Sequence, residues 1–73
     1  MATQIVMNHI GDRRYLFDST DAATVRKAEK RFNELTAKGF IAAERTSEGQ
    51  SRRVSSFDPT TEETLLFPRL VGG

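Results

Sequence analysis

A single amphipathic helix, set between stretches that favour strands, constrains this chain more than any other feature. Val25, Ala28, Phe32 and Leu35 recur at spacings of three, four and three, which draws one apolar stripe along an α-helix. Arg26, Lys27, Glu29, Lys30, Arg31, Asn33 and Glu34 occupy its other sides. Before it, Asp18-Ser19-Thr20-Asp21 supplies side chains that accept hydrogen bonds from the orphan N–H groups of a first turn. After it, Gly39 follows Lys38 and suits the left-handed position that ends a helix. These signals predict a helix over Asp21 to Lys38. One stripe can cover one face of a sheet, so the remainder of the chain has to provide that sheet.

The flanks supply strand signals. Gln4 to Ile10 is β-prone, Gly11-Asp12 reads as a two-residue turn of type II′, and Arg14 to Phe17 resumes the strand pattern. Ile5/Met7 and Val6/Ile10 compete for the inward face. Phe40 to Arg45 forms a third strand, Thr46 to Gln50 a turn around Gly49, and Ser51 to Phe57 a fourth strand. Asp58-Pro59-Thr60-Thr61 turns the chain, because Pro59 presets φ and Asp58 can close a side-chain turn. Thr64 to Phe67 is the last strand, and Pro68 ends its ladder. The fold class read from this order is α+β: a mixed sheet of four to five strands, β-β-α-β-β-β, on one helix that serves as the crossover.

Composition then excludes several function classes. With 73 residues the chain is expected to form one small domain with a thin core. It has no cysteine and one histidine, His9, so disulfides and a His/Cys metal cluster are excluded. No window approaches the ~18 to 20 apolar residues of a membrane span. Met1 to Ile10 lacks the charged and apolar regions of a signal peptide, so a cytoplasmic location is expected. Eleven Lys and Arg against ten Asp and Glu leave a net charge of +1, too little to draw the chain toward nucleic acid or an anionic membrane at long range.

At this point the sequence resembles the ubiquitin-like β-grasp modifiers, along the whole chain and in order. Gln4-Ile5 opens the first strand, Gly11 sits in the first hairpin turn, Ser19 to Asp21 caps the helix, and Val25, Ala28 and Phe32 match its buried face in type. The most specific likeness is at the end: Thr64-Leu65-Leu66-Phe67-Pro68-Arg69-Leu70-Val71-Gly72-Gly73 is similar to the family's last strand, Leu/Arg tail and diglycine. The resemblance implies a domain over 1–67 and an extended tail over 68–73. It also implies that the last strand lies centrally beside the first. Asp58 to Glu63 then has to carry the chain past an intervening strand, a distance of about 10 Å that six residues can span. A plain three-strand meander would instead leave the last strand at an edge.

In function, the resemblance implies a protein modifier whose C-terminal carboxylate, at Gly73, is adenylated by a partner enzyme and joined to a target by an isopeptide bond. Gly72 and Gly73 would be the conjugation residues, lacking a Cβ that would block a narrow channel. Arg69, Leu70 and Val71 would be the partner-binding tail. Implied partners are an adenylating activating enzyme, a conjugating enzyme, a deconjugating protease and target proteins. The chain itself needs no cofactor, since ATP is used by the activating enzyme. A bacterial member is compatible with the charge and cysteine content. The rival within the fold is a sulfur carrier bearing a C-terminal thiocarboxylate. The rival from another class is a small interaction or nucleic-acid-binding module with an inert tail.

Other residues have plainer readings. His9 alone on a strand reads as a solvent or structural residue. Arg26, Lys27, Lys30 and Arg31 read as the solvated helix face, interrupted by Glu29 and Glu34. Arg13-Arg14 and Arg52-Arg53 would make a nucleic-acid patch only if they shared one sheet face. Asp58 with Glu62-Glu63 lacks calcium-loop spacing. Phe17, Phe32, Phe40, Phe57 and Phe67 read as core rather than a stacking platform. No Ser, Cys or His constellation, glycine-rich phosphate loop or cofactor motif is present, so the chain is not expected to be an enzyme.

Overall fold

A computed structural model describes residues 2–45 and 48–69. Strands β1 (Ala2–Asn8) and β2 (Gly11–Phe17) lead to helix α1 (Ala22–Ala37). Strands β3 (Ile41–Arg45), β4 (Ser51–Val54) and β5 (Glu63–Phe67) follow. All five strands share one sheet in the order β2-β1-β5-β3-β4. The last strand is central, parallel to β1 with Ile5 opposite Leu65, and antiparallel to β3 with Ala43 opposite Leu65. Both outer pairs are antiparallel. The meander is thereby excluded, and the architecture is a small α+β fold of the β-grasp-like kind.

The helix forms where its caps dictate. The Asp21 carboxylate accepts from the Ala23 N–H at 3.0 Å. At the other end the Phe40 N–H reaches Leu35 O at 3.0 Å and the Gly39 N–H reaches Thr36 O at 3.1 Å. Those two bonds make a Schellman ending, with Gly39 at φ 99°. Leu35 and Phe40, the two residues whose contact often accompanies such an ending, both pack against the same core cluster.

Alternation along the strands sorts residues onto two faces. On the helix side, Val6, Ala42 and Leu66 meet Phe32, with Tyr15, Leu35, Phe40, Val54 and Phe57 packed around them. Ala2 and Phe17 meet Ala28 beside Val25 and Phe57. On the other side Ile5, Ala43 and Leu65 form a cluster with Met7 and Phe67. The contest for the inward face is thus settled for Val6, whereas Ile10 is 84% exposed.

Several boundaries differ from the sequence expectation, and β1 itself runs from Ala2 to Asn8 rather than from Gln4 to Ile10. The first hairpin turns at His9-Ile10, with Asn8 opposite Gly11, instead of at Gly11-Asp12. The cause is Asn8, whose side-chain oxygen accepts from the Ile10 N–H at 2.8 Å and the Gly11 N–H at 3.0 Å. Gly11 still supplies a positive φ, of 146°, but as the first residue of β2. Strand β4 stops at Val54 rather than Phe57, because its partner β3 has only Ile41 left beyond Ala42. Phe57 leaves the ladder and its ring sits 5.8 Å from Phe17 and 5.7 Å from Phe32. Residues 55–62, longer than the six foreseen, carry the chain past β3 to the centre. The turn expected over Thr46 to Gln50 is described only from Glu48, where Gly49 has φ 81°.

Candidate functional site

Strand β5 positions the candidate tail. Thr64, Leu65 and Leu66 are buried, and the strand is held on both sides, by Gln4, Ile5 and Val6 of β1 and by Ile41 to Arg45 of β3. The exit is therefore anchored at the middle of the sheet. Phe67 lies opposite Ile41, where β3 begins, so the chain leaves close to the helix C-terminal end at Gly39-Phe40. Pro68 and Arg69 follow outside the ladder and are exposed. Of the expected tail residues, Arg69 is placed in this way, while Leu70, Val71, Gly72 and Gly73 lie outside the described residues.

The remaining candidates fall in separate places. His9 is exposed in the first hairpin turn. Among the described residues no three His, Asp or Glu side chains are grouped to hold a metal ion. Asp58 makes a side-chain turn: its carboxylate accepts from the Thr60 hydroxyl and, at 2.9 Å, from the Thr60 N–H. Those bonds, the hydroxyl's first, hold the Asp58 carboxyl below its ordinary 3.8. Glu63 pairs with Arg45 at 3.2 Å. Of the acidic trio, Asp58 is thus committed to a turn and Glu63 to a cross-strand ion pair, while Glu62 is exposed. A polar cleft of about 360 Å³ lies beside it, lined by Glu44, Arg45, Arg52, Asp58, Thr60 and Thr61 among others. Two of its groups are bound from within, since Glu44 accepts from both the Arg52 guanidinium and the Thr61 hydroxyl.

The basic pairs do not merge. Arg13-Arg14 and Arg52-Arg53 lie on opposite edge strands, with β1, β5 and β3 between them. Arg14 and Arg53 do share the helix-free face, as the two ends of the row Arg14–Ile5–Leu65–Ala43–Arg53. The centre of that row is apolar, whereas a phosphate track needs basic groups along its length. On the helix, Arg31 is withdrawn from the solvated face. Its guanidinium donates to Gln4 Oε1 at 2.8 Å and lies 3.7 Å from the centre of the Tyr15 ring. Gln4 is fully buried and donates in turn to Ala28 O at 3.0 Å. This polar post between sheet and helix has no local sequence signal, because Gln4 and Arg31 are 27 residues apart. No helix among the described residues is long and apolar enough to cross a membrane.

Comparison of the chain with family models, with curated proteins and with solved structures gives no match. The class that the structure defines is therefore that of the fold: a helix-backed mixed sheet whose final strand is central and parallel to its first.

Proposed function

We propose that the chain is a ubiquitin-like protein modifier, used by partner enzymes through its C-terminal carboxylate. The observation that supports this reading most is the central position of β5. A tail that follows an edge strand can be peeled off with it, whereas one rooted between β1 and β3 can be pulled by an enzyme without unravelling the body. The sequence after this root is Pro68-Arg69-Leu70-Val71-Gly72-Gly73, which ends in the two residues that obstruct a narrow channel least.

In the proposed reaction the Gly73 carboxylate attacks the α-phosphorus of ATP and pyrophosphate leaves. An amine of the target then attacks the acyl carbon, AMP leaves, and the amine gives up a proton as the isopeptide bond forms. The chain's own side chains do no chemistry. Arg69, Leu70 and Val71 serve as contacts for the activating and conjugating enzymes, and a deconjugating protease would reverse the step. The reading requires a free carboxylate at Gly73, either encoded there or released by a protease.

The test is incubation of the chain with lysate and ATP, followed by mass spectrometry. Target lysines carrying the chain through Gly73 are the expected result, and removal of Gly72 and Gly73 abolishes them. A thiocarboxylate at Gly73 in place of isopeptides would assign the sulfur-carrier role instead. Partner binding and activity that survive the deletion unchanged would overturn both.

A further inference from the structure

We infer that this chain pairs with a second copy of itself along the free edge of β2, and that the pairing is set in one register. The inference does not depend on the modifier reading. Strand β2 is an outer strand, seven residues long, with β1 on one side only. Its free edge presents unpaired backbone groups, which native proteins commonly protect with like charges or a cover. The opposite edge has that protection. Strand β4 is only Ser51-Arg52-Arg53-Val54, and a second copy aligned over both arginines meets arginine with arginine. Strand β2 is different, because its charges are of both signs.

The backbone phase decides which residues can bond outward. The Thr3 N–H donates to Glu62 O at 2.8 Å, so the odd residues of β1 turn their backbone groups toward β5. The even residues therefore turn toward β2, where they meet Gly11, Arg13, Tyr15 and Phe17. Asp12, Arg14 and Leu16 are left with N–H and C=O directed to the free edge. A second copy can pair there antiparallel only if its own even residues face these.

Among such registers, one sets opposite charges face to face at both charged positions that bond outward. With Arg13 at the two-fold axis, Asp12 stands opposite Arg14 of the second copy, and Arg14 opposite its Asp12. Further out, Leu16 lies toward the hairpin turn of the second copy, which carries its Ile10, and the reverse. Among the described residues, Leu16 and Ile10 are the large apolar side chains left exposed, at 66% and 84%. The shift by one pair in either direction sets Arg14 against Arg14 or Asp12 against Asp12, which is repulsive. The chosen register has its own cost on the helix side, where Arg13 faces Arg13 across the axis. The Ile10 N–H is bound to Asn8, so the outermost contacts are made by side chains alone. One pair of strands buries less than a standard interface, so the dimer is weak and forms at high protein concentration.

Sedimentation equilibrium over a concentration series tests this. The mass is expected to rise from 8.2 kDa toward twice that value. In the same series, the amides of Asp12 and Arg14 gain protection from hydrogen exchange, while those of Arg13 and Tyr15, already bonded to β1, do not. Asp12→Arg alone and Arg14→Asp alone leave like charges opposed, and each stays monomeric. Mixed together, the two variants restore both opposite-charge pairs and form a heterodimer. Arg13→Thr removes the repulsion at the axis and shifts the wild-type equilibrium toward dimer. A wild-type chain that stays monomeric up to about 1 mM, the weak end of specific association, overturns the inference. Single variants that dimerise as the wild type does also overturn it, since the contact would then lie elsewhere. Should the variants fail to fold, the exchange pattern of the wild type decides alone.

Discussion

The two faces of the sheet are made from the same strands, yet they bury apolar surface by different means. On the helix side Val6, Ala42 and Leu66 are closed over by Phe32, and Tyr15, Leu35, Phe40, Val54 and Phe57 fill the margin. On the far side no helix is present, and Ile5, Leu65 and Ala43 are buried by being neighbours in one cross-strand row, with Met7 and Phe67 beside them. The first arrangement is a closed core, in which a deleted side chain leaves a void. The second is a covered surface, in which water can refill what is removed. A chain with one helix can build the first kind only once, and the difference sets where its stability is concentrated.

Phe32→Ala is the strongest way to break this contrast. Phe32 is 1% exposed and joins the helix to the sheet and to the Phe57 ring. Truncation of such a core phenylalanine costs about 3 to 5 kcal/mol. For 73 residues, total stability on the order of 4 to 11 kcal/mol is expected. The variant is therefore expected to melt about 12 to 40 °C below the wild type, which circular dichroism during a thermal scan would show.

Leu66 and Leu65 sharpen the comparison, being adjacent in sequence and opposite in face. Leu66 is fully enclosed on the helix side, whereas Leu65 retains 7% exposure on the other. Leu66→Ala loses both the transfer free energy and a cavity term, about 3 kcal/mol or more. Leu65→Ala loses mainly the transfer of three carbons, about 2 kcal/mol. Urea midpoints for the pair should differ in that order. Equal losses would mean that the helix-free face is as tightly enclosed as the core.

The helix was legible in the sequence because both of its ends carry their own signals, Asp21 at one and Gly39 at the other. The inward face of β1 was not legible, since a central strand is apolar on both sides and alternation then carries no sign. Ile5 and Val6 are both buried, on opposite faces. The first turn was misplaced because a glycine is the stronger written signal, while the bond that fixes the turn comes from the Asn8 side chain. Strand β4 looked longer than it is because Phe57 continues the alternation but finds aromatic partners outside the ladder. Of the candidate site, local residue patterns name the tail, whereas the central root is expected only through the family resemblance. The central place of β5 follows from pairing between residues some sixty positions apart, such as Val6 and Leu66.

The helix-backed side also depends on two turns of the same design, and they give the smallest effect of the three. Asp18 precedes the helix and Asp58 follows Phe57. Each carboxylate accepts from the hydroxyl and the N–H of the threonine two residues on, Thr20 and Thr60. Both carboxyls are held below 3.8 by those bonds, the hydroxyl contributing most. A carboxyl whose folded value is depressed adds stability above its unfolded value, and that stability is lost as pH falls through the folded value. Asp58→Asn keeps an acceptor oxygen and removes the charge. The variant is therefore expected to be less stable than the wild type at about pH 6, with the gap closing as pH falls through the depressed folded-state value of the wild-type carboxyl. The exposed position of the turn keeps the gap small and sensitive to salt. A gap of constant size from pH 6 to 2 would show that the turn is held by its shape and not by its charge.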